Sequence, residues 1–385
     1  MRIHTTILST LCTFLFFLPI EIFPQGTNYK YERISIDNAS QQMSGIDLSP
    51  DRNFIAIAGQ QGKPFYIYDW HANKIVNKFN TGNWFAGSIV DYSTNGKYIL
   101  LQQLFNIDFA PNKDREVDFE IIEAQSGRLV KSFEKYHSVI ISPDESTAIA
   151  LSGDEVSFWN LETGKKEKSF TVENASNAVA ISPDGSSIAV SHHVSEEALM
   201  KVARFKKDKK SRKFIAKYRQ MITVFNATTF EKKYTVDEFY DIIYRLEYSK
   251  EGEILFCLQI PHMAAQSGGK RQSYISTIDG VNGEPSRKGF TSEATYEPDF
   301  KLSDDGRLFG IVSNGMRNYV EVFIYDFATG KMLKRFELSC RLFEKSDGEF
   351  IRSDIRSSFV FLPDNKSVLL TMGDNFVLWD MEIEN

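Results

Sequence analysis

Short runs that alternate between apolar and polar residues, each ended by a turn signal, fill most of this chain. The clearest unit is 137–170, which reads HSVIISPDESTAIALSGDEVSFWNLETGKKEKSF. Its four β-type runs are separated by Ser-Pro-Asp at 142–144, Ser-Gly-Asp at 152–154 and Glu-Thr-Gly at 162–164, and such residues favour tight turns. The unit predicts a four-stranded antiparallel meander that cannot bury both of its faces alone.

Similar units begin near residues 45, 88, 178, 244, 300 and 358, which together with the clearest one makes seven copies. Repeats with this spacing are typical of a β-propeller. The seventh copy lacks a fourth strand, whereas 29–37 alternates as a strand with no partner of its own. We therefore predict an all-β, seven-bladed β-propeller of four-stranded antiparallel blades, whose ring is closed by the N-terminal strand.

Two of the copies end their third strand in a distinctive motif. Residues 153–160 read GDEVSFWN and residues 373–380 read GDNFVLWD, with an Asp in the turn and a Trp before the final Asn or Asp. Both motifs resemble those of the WD40-repeat family, and the Ser-Pro-Asp turns resemble WD40-like repeats of exported bacterial propellers. The resemblance covers 29–385 and implies a seven-bladed propeller that acts as a rigid platform for partners.

The N-terminus predicts a separate segment. Arg2 precedes an apolar run over 7–20, which Glu21 ends. A basic residue followed by about 14 apolar residues is typical of a secretory signal, whereas a spanning helix needs about 20. We expect 1–26 to be a signal peptide and 27–385 to be a secreted or periplasmic propeller without a spanning segment.

Composition and cysteine usage narrow the class of protein. The chain is 42% hydrophobic and 25% charged, as in an ordinary globular protein, and its net charge of −6 argues against a surface that binds nucleic acid throughout. Outside the N-terminal segment only Cys257 and Cys340 remain. Two cysteines exclude a disulfide framework and a cysteine-rich zinc site, and whether they pair stays open. No cofactor is indicated.

Aspartates of the repeat turns are the most numerous candidates for a metal site. They are Asp51, Asp144, Asp184, Asp305 and Asp364. Because they recur at equivalent positions in the copies, capping of an Asx turn explains them without a metal. The alternating ligands of a calcium loop do not occur.

Histidines offer no clear catalytic arrangement. His137 stands where the WD40 family has its Gly-His, and we expect it to form a hydrogen bond within its blade. His192 and His193 are adjacent in a strand, so their side chains point to opposite faces and cannot easily share a metal. His262 lies in a loop without a visible catalytic partner. Since no nucleophile elbow, phosphate loop or metalloprotease motif is present, we assign no catalytic residue.

Four loops are much longer than their counterparts in the other copies: 104–118, 191–220, 260–272 and 339–356. They are either loops between the second and third strands or connections between blades. In a propeller both kinds emerge at the same end of the ring. The insertions therefore enlarge one end, and binding residues are often found in loops on a rigid scaffold.

The insertion of the fourth copy is strongly basic and carries interleaved aromatics. Its candidate partner-binding residues are Lys201, Arg204, Lys206, Lys207, Lys209, Lys210, Arg212, Lys213, Phe214 and Tyr218. Such a surface suits an anionic protein, a glycan, an anionic membrane or nucleic acid. The simpler interpretation, which the composition favours, is an extended, solvated hairpin whose charges keep the protein soluble. We expect a monomeric platform for a macromolecule, most readily a protein, and the alternative function is a propeller enzyme such as a lactonase-like hydrolase.

Overall fold

The structure is a computed structural model that describes residues 31–35, 43–60, 64–82, 84–105, 114–262, 265, 272–293, 298–315, 319–339, 357–373 and 375–383. These residues form seven four-stranded antiparallel sheets. Six sheets use four strands that are consecutive along the chain, and the seventh combines strands from both ends of the chain. The predicted all-β, seven-bladed propeller is confirmed.

The first four blades run along the chain in order, from innermost to outermost strand. Their strands are β2 Met43–Leu48, β3 Phe54–Gly59, β4 Phe65–Asp69 and β5 Lys74–Phe79; β6 Ser88–Tyr92, β7 Tyr98–Gln103, β8 Val117–Glu123 and β9 Leu129–Tyr136; β10 Ser138–Ile141, β11 Thr147–Ser152, β12 Glu155–Asn160 and β13 Lys166–Thr171; and β14 Ala175–Ile181, β15 Ser187–His193, β16 Gln220–Asn226 and β17 Lys232–Thr235. Between β15 and β16 lie two helices, α1 Glu196–Lys201 and α2 Lys209–Tyr218, and a short 3-10 helix, Ala203–Phe205.

The last three blades follow the same order. Their strands are β18 Ile242–Tyr248, β19 Ile254–Ile260, β20 Gln272–Asp279 and β21 Pro285–Glu293; β22 Asp299–Leu302, β23 Leu308–Gly315, β24 Tyr319–Asp326 and β25 Met332–Ser339; and β26 Phe359–Phe361, β27 Ser367–Met372 and β28 Asn375–Asp380.

The ring is closed by the N-terminal strand, β1 (Tyr31–Ser35). This strand pairs antiparallel with β28, placing Tyr31 opposite Trp379 and Ser35 opposite Asn375. Both the surplus first strand and the missing last strand are thereby explained, and the predicted closure is confirmed. The described strand is shorter than the predicted 29–37, whose remaining residues lie outside the described ranges.

Apolar burial takes place between blades. Seven hydrophobic clusters occur among the described residues, and each draws its side chains mainly from two adjacent blades. Between blades five and six, for example, the rings of Phe290 and Phe309 stack at 4.2 Å. Between blades six and seven, the ring of Phe336 stacks at 4.7 Å on Trp379. Trp379 belongs to β28, so this contact lies beside the seam, by which we mean the pairing of β1 with β28. Because a single meander has two apolar faces, each blade needs a neighbour on both sides.

The predicted Asx turns link the first two strands of the blades. In blade one, Ser49 Oγ donates to Asp51 Oδ1 at 2.5 Å, and the N–H groups of Asn53 and Phe54 donate to Asp51 and Ser49 at 3.1 and 2.9 Å. The same hydrogen bonds recur around Asp144, Asp184 and Asp305. Asp364 accepts instead from the N–H groups two and three residues on, both at 2.8 Å. These aspartates therefore serve as turn caps, as predicted.

Of the residues in the predictions on the cysteines and the N-terminal segment, the structure describes only Cys257. Cys257 is a fully buried free thiol in β19, and burial raises its pKa. Cys340 and the predicted signal segment 1–26 lie outside the described residues. No helix in the described part of the chain has the length and apolar character needed to cross a bilayer.

Removal of β1 tests the closure of the ring. A chain that begins at residue 38 leaves the β28 edge unpaired and exposes the seam around Trp379, so we expect loss of the cooperative thermal transition and a red-shifted Trp emission. A chain that begins at residue 27 retains β1 and is the matched control. If the shorter chain still melts sharply near the temperature of the control, the N-terminal strand does not hold the ring together.

The turn aspartates make the free energy of unfolding depend on pH in the acid range. Hydrogen bonds from the Ser182 hydroxyl and from Ser186 lower the pKa of Asp184 from 3.8 to about 2. Since the folded state then binds fewer protons than the unfolded state, this stabilisation is complete above about pH 4 and is lost as the pH falls to about 2.

Asp184→Asn keeps the acceptor oxygen of the turn but removes the titrating charge. We expect this variant to lose about 1 kcal/mol of unfolding free energy at neutral pH, as is typical for a hydrogen bond to a charged group weakened to a neutral one. The difference from the parent chain should shrink towards zero near pH 2 in urea titrations. A difference that stays constant between pH 7 and pH 2 would contradict this assignment.

Candidate functional site

The predicted long loops all emerge at one end of the ring, here called the insertion end. Within each blade the strands are antiparallel, so the loop between the second and third strands shares this end with the connection to the next blade. The Asx turns lie at the opposite end, the turn end. Of the four long loops, the structure describes 191–220 completely; 106–113, 263–264, 266–271 and 340–356 lie outside the described residues.

The basic insertion of blade four is helical, which corrects the interpretation of it as an extended hairpin. Ser195 caps α1 by accepting from Ala198 N at 3.0 Å, and Asp208 caps α2 by accepting from Ser211 N at 2.9 Å. In each case the side-chain oxygen of the capping residue accepts from the N–H group three positions further along the chain, which is the ordinary geometry of a helix N-cap. The dense cations of this segment concealed these two start signals.

Contacts with the connection between blades four and five hold the insertion on the ring. Arg219 forms an ion pair with Asp241, and Arg204 lies 3.6 Å from Asp237. The rings of Phe205 and Phe239 meet edge to face at 5.7 Å. In addition, the Tyr218 ring packs 4.6 Å from the His262 ring, near the start of the long loop of blade five.

The predicted partner-binding residues divide into two groups. Exposed at the surface are Lys201, Arg204, Lys206, Lys207, Lys209, Lys210, Lys213 and Phe214. Tyr218 is partly buried, and Arg212 is only 7% exposed. The Arg212 guanidinium donates to the carbonyl oxygens of Phe205 and Lys206, the latter at 2.8 Å, so it fixes the 3-10 helix against α2. Charge alone could not distinguish this buried arginine from its exposed neighbours.

The long loop of blade two reaches across blade three to blade four. Arg115 is 2% exposed, and its side chain donates to the carbonyl oxygens of His137 and Asn177 at 3.0 and 3.1 Å. Asp114 lies 3.2 Å from His193. This loop therefore joins three neighbouring blades at the insertion end.

The histidines have structural partners. The His137 ring bonds to the Arg115 carbonyl of blade two and not within its own blade as expected, where only its backbone N–H donates, to Leu151 O at 2.9 Å. His192 Nε2 bonds to Thr223 at 2.9 Å, whereas His193 faces Asp114, so the two rings have separate partners. Burial and nearby Lys217 lower the pKa of His262.

A cavity of about 580 Å³ occupies the middle of the ring and was not predicted. Its rim at 249–251 and 303–306 consists of turns, so it opens at the turn end, and Arg115 lines its far side. Asp47, Asp91, Glu247 and Lys301 line its wall. Each stands two residues before the serine that begins the turn, on β2, β6, β18 and β22.

Three ion pairs organise the charged side chains in and beside the wall of this central channel. Lys301 Nζ lies 2.7 Å from Asp47 Oδ1, and Asp47 Oδ2 accepts from Tyr92 N at 2.8 Å. Arg245 lies 2.5 Å from Glu247 and 3.7 Å from Asp299. We call these residues together with Asp91 the channel cluster: Asp47, Asp91, Arg245, Glu247, Asp299 and Lys301.

Burial is the largest influence on the pKa values of Asp47, Glu247 and Lys301, and neighbouring charges oppose it. Burial raises the pKa of Asp47 and of Glu247, although the neighbouring cations Lys301 and Arg245 oppose the shift. Burial would lower the pKa of Lys301, but the carboxylates of Asp47, Asp299 and Asp91 hold it above its usual value. The described residues contain no group of three or more His, Cys, Asp or Glu placed to hold a metal ion.

Comparisons with known proteins support the fold alone. No protein-family model matches the chain, and no curated protein matches it in sequence. Among solved structures, hydrazine synthase from Kuenenia stuttgartiensis is similar, with a TM-score of 0.58 and 13% identity over 94% of this chain and 100% of that chain. At this identity the similarity extends to the architecture and not to a shared activity.

Proposed function

We propose that this chain is an exported WD40-like propeller that binds another macromolecule, in the first instance a protein, through its insertion end. The observation that carries the proposal is the exposed cationic surface of the helical insertion, held on a rigid ring by Arg219 and Arg204. Loops on rigid scaffolds commonly carry binding residues because the scaffold fixes their positions.

The charge of the insertion is opposite to that of the whole chain. Its exposed lysines at 201, 206, 207, 209, 210 and 213 stand on a protein whose net charge is −6. A local cationic field of this kind attracts and orients an anionic partner. The partner surface that fits it is therefore acidic.

Apolar side chains lie among these cations and favour a protein partner. Met200, Val202 and Phe214 are 44%, 40% and 38% exposed. Protein interfaces combine such aromatic and methionine contacts with a charged rim. A glycan would use the cations but leave this apolar surface less well matched, whereas an anionic membrane or a nucleic acid is a further outcome that the capture experiment below distinguishes from a protein partner.

Substitution of four lysines tests the insertion as the binding surface. The variant carries Lys206→Gln, Lys207→Gln, Lys209→Gln and Lys210→Gln, which keeps helix-forming side chains of similar length. We expect roughly tenfold or greater loss of affinity for captured protein partners, and a weaker salt dependence, because several exposed ion pairs are removed together. The melting temperature should change little, since exposed substitutions rarely alter stability by more than about 0.5 kcal/mol each.

The matched control replaces four exposed lysines outside the insertion, on the outer parts of blades one, three, four and six, with glutamine: Lys74, Lys165, Lys232 and Lys331. Affinity capture from native extract, read by mass spectrometry, should enrich the same proteins with the parent chain and with this control. If the insertion variant captures the same proteins as the parent chain at low salt, the binding site does not lie on the insertion. Turnover of a panel of lactones and esters would favour the alternative, a hydrolase acting in the channel.

Export is the second part of the proposal and rests on the sequence of the first residues. In its native host the protein should lie outside the cytoplasm and lack residues up to about Gly26. Cell fractionation followed by mass spectrometry of the intact chain measures both properties. A soluble cytoplasmic form that still begins at Met1 would refute export.

A further inference from the structure

The charges of helix α2 in the insertion oppose the stability of that helix. Lys209 and Lys210 occupy its first turn, where the positive end of the helix dipole disfavours cations, and only the capping Asp208 offsets them there. Lys209, Lys213 and Lys217 follow one another at intervals of four residues, so like charges lie side by side along the helix. The stability of the helix therefore does not explain its lysines.

The neighbouring helix α1 follows the opposite pattern. Glu196 and Glu197 lie in its first turn and Lys201 lies in its last turn, as the helix dipole favours. In addition, Lys201 Nζ lies 3.8 Å from Glu197 Oε1, which is the favourable pairing of opposite charges four residues apart. The unfavourable charges are thus a property of α2 and not of the whole insertion.

The lysines of α2 are exposed and uncompensated. Lys209, Lys210, Lys213 and Lys217 are all exposed, and none of them forms an ion pair within the part of the chain that the structure describes. The ion pairs of the insertion involve other cations: Lys201, Arg204, Arg212 and Arg219. Because several like charges held on one helix repel one another, a partner that brings several negative charges removes an unfavourable interaction as it binds.

An aromatic row runs beside the row of lysines. Phe214 and Tyr218 are four residues apart, and their rings meet edge to face at 5.2 Å. Phe214 is 38% exposed, and the Tyr218 ring lies between Lys217 Nζ at 5.1 Å and the His262 ring of blade five at 4.6 Å. We call this surface the α2 face: Lys209, Lys210, Lys213, Phe214, Lys217 and Tyr218. It presents one cationic and one aromatic row side by side.

The spacing within these rows fits side chains presented on a second helix. Residues four apart on a helix are separated by about 6 Å along its axis, and the whole of α2 is about 15 Å long. Carboxylates four residues apart on a partner helix have the same spacing, so each can meet one lysine of the row. Apolar side chains on the adjacent row of that helix can then pack on Phe214, as amphipathic helices do when they bind.

We propose that the α2 face binds an acidic amphipathic helix of a partner protein. Its carboxylates lie one turn apart along the lysine row, and its apolar side chains pack on Phe214. This inference rests on the proposed function, because it names the kind of segment that the insertion binds. If the four-lysine variant described above keeps its captured proteins, the proposed function fails, whereas the peptides described next test the helix alone.

Two labelled peptides of the same length, composition and helicity test the geometry. One has glutamates at every fourth position and leucines along the adjacent row, and the other has the same residues distributed around the helix. In fluorescence anisotropy titrations with the intact chain, we expect the first peptide to bind roughly tenfold more tightly. Equal affinities, or no saturable binding of the first peptide, would overturn the proposal even where the four-lysine variant has lost its captured proteins.

Double-stranded DNA and phosphatidylglycerol vesicles are the two rival anionic surfaces. At physiological salt we expect each to need a higher concentration of negative charge for half-saturation than the first peptide needs, because both are held mainly by charge that salt screens. Half-saturation at a lower concentration with either one would overturn the proposal. The α2 face would then be a surface for a nucleic acid or for a membrane.

Substitutions in each row locate the bound peptide. Lys213→Gln combined with Lys217→Gln, and separately Phe214→Gln, should each weaken binding of the first peptide roughly fivefold or more. The matched control combines Lys165→Gln with Lys331→Gln, which removes the same charge outside the insertion and should bind as the parent chain does. Unchanged affinity in either α2 variant, or an equal loss in the control, would contradict the assignment.

Hydrogen exchange of the α2 amides separates binding from a structural role. Because Lys213 and Lys217 repel each other, α2 in the unliganded double variant should exchange no faster than in the parent chain. The first peptide should slow exchange across 209–218 in the parent chain and in the control, and should do so less in the double variant. Faster exchange in the unliganded double variant would show that these lysines stabilise the insertion, and the proposal would be wrong.

Discussion

Burial between neighbouring blades is the constraint on which the rest of this structure depends. Each four-stranded meander has two apolar faces and can cover neither by itself, so stability requires a neighbour on each side. A linear array would leave one uncovered face at each end. The ring removes both ends, and the cluster that joins Ile46, Ile55 and Tyr68 of blade one to Val360 and Phe376 of blade seven shows how the last interface is completed. The N-terminal strand adds backbone hydrogen bonds within blade seven by pairing with β28, and Met43 N and Ile46 N donate across the interface to Gly373 O and Ser358 Oγ of blade seven.

The same constraint determines where charge can be placed. Side chains on the sheet faces pack against the adjacent blade, but the innermost strand of each blade also borders the central channel. Asp47, Glu247 and Lys301 lie on innermost strands, where a charged group can reach water and a partner across the channel. Loops at the insertion end do not lie between blades, although some of their side chains, such as Arg115 and Arg212, are buried. Large changes such as the helical insertion of blade four therefore fit there without altering the blades.

Much of the fold could be predicted from the sequence because its signals are local. Alternation and turn residues identify strands such as β11 and β12, and the hydrogen bonds of the Asp51 and Asp144 carboxylates involve residues only two positions away. Closure of the ring could also be predicted, because a surplus strand and a missing strand imply each other. Such signals depend only on residues that are close together in the sequence, so they can be recognised without the structure.

Features that depend on distant residues could not be predicted. Asp47 and Lys301 are separated by 254 positions, and each alone is an ordinary charged residue in a short strand. The buried state of Arg212 likewise depends on the turn of chain that brings Phe205 back over α2. The helical state of the insertion was missed for a different reason. Its caps, Ser195 and Asp208, are local signals, but a dense run of lysine obscures the apolar period that would have drawn attention to them.

The channel cluster and the closure of the ring are physically connected. Lys301 belongs to blade six and Asp47 to blade one, so their ion pair joins the two blades on either side of blade seven. Blade seven is the blade that the N-terminal strand completes. Ser358 of blade seven donates to Asp299 of blade six at 2.6 Å and accepts from the N–H group of Ile46 in blade one at 3.2 Å. The positions of these carboxylates therefore depend on a closed seam.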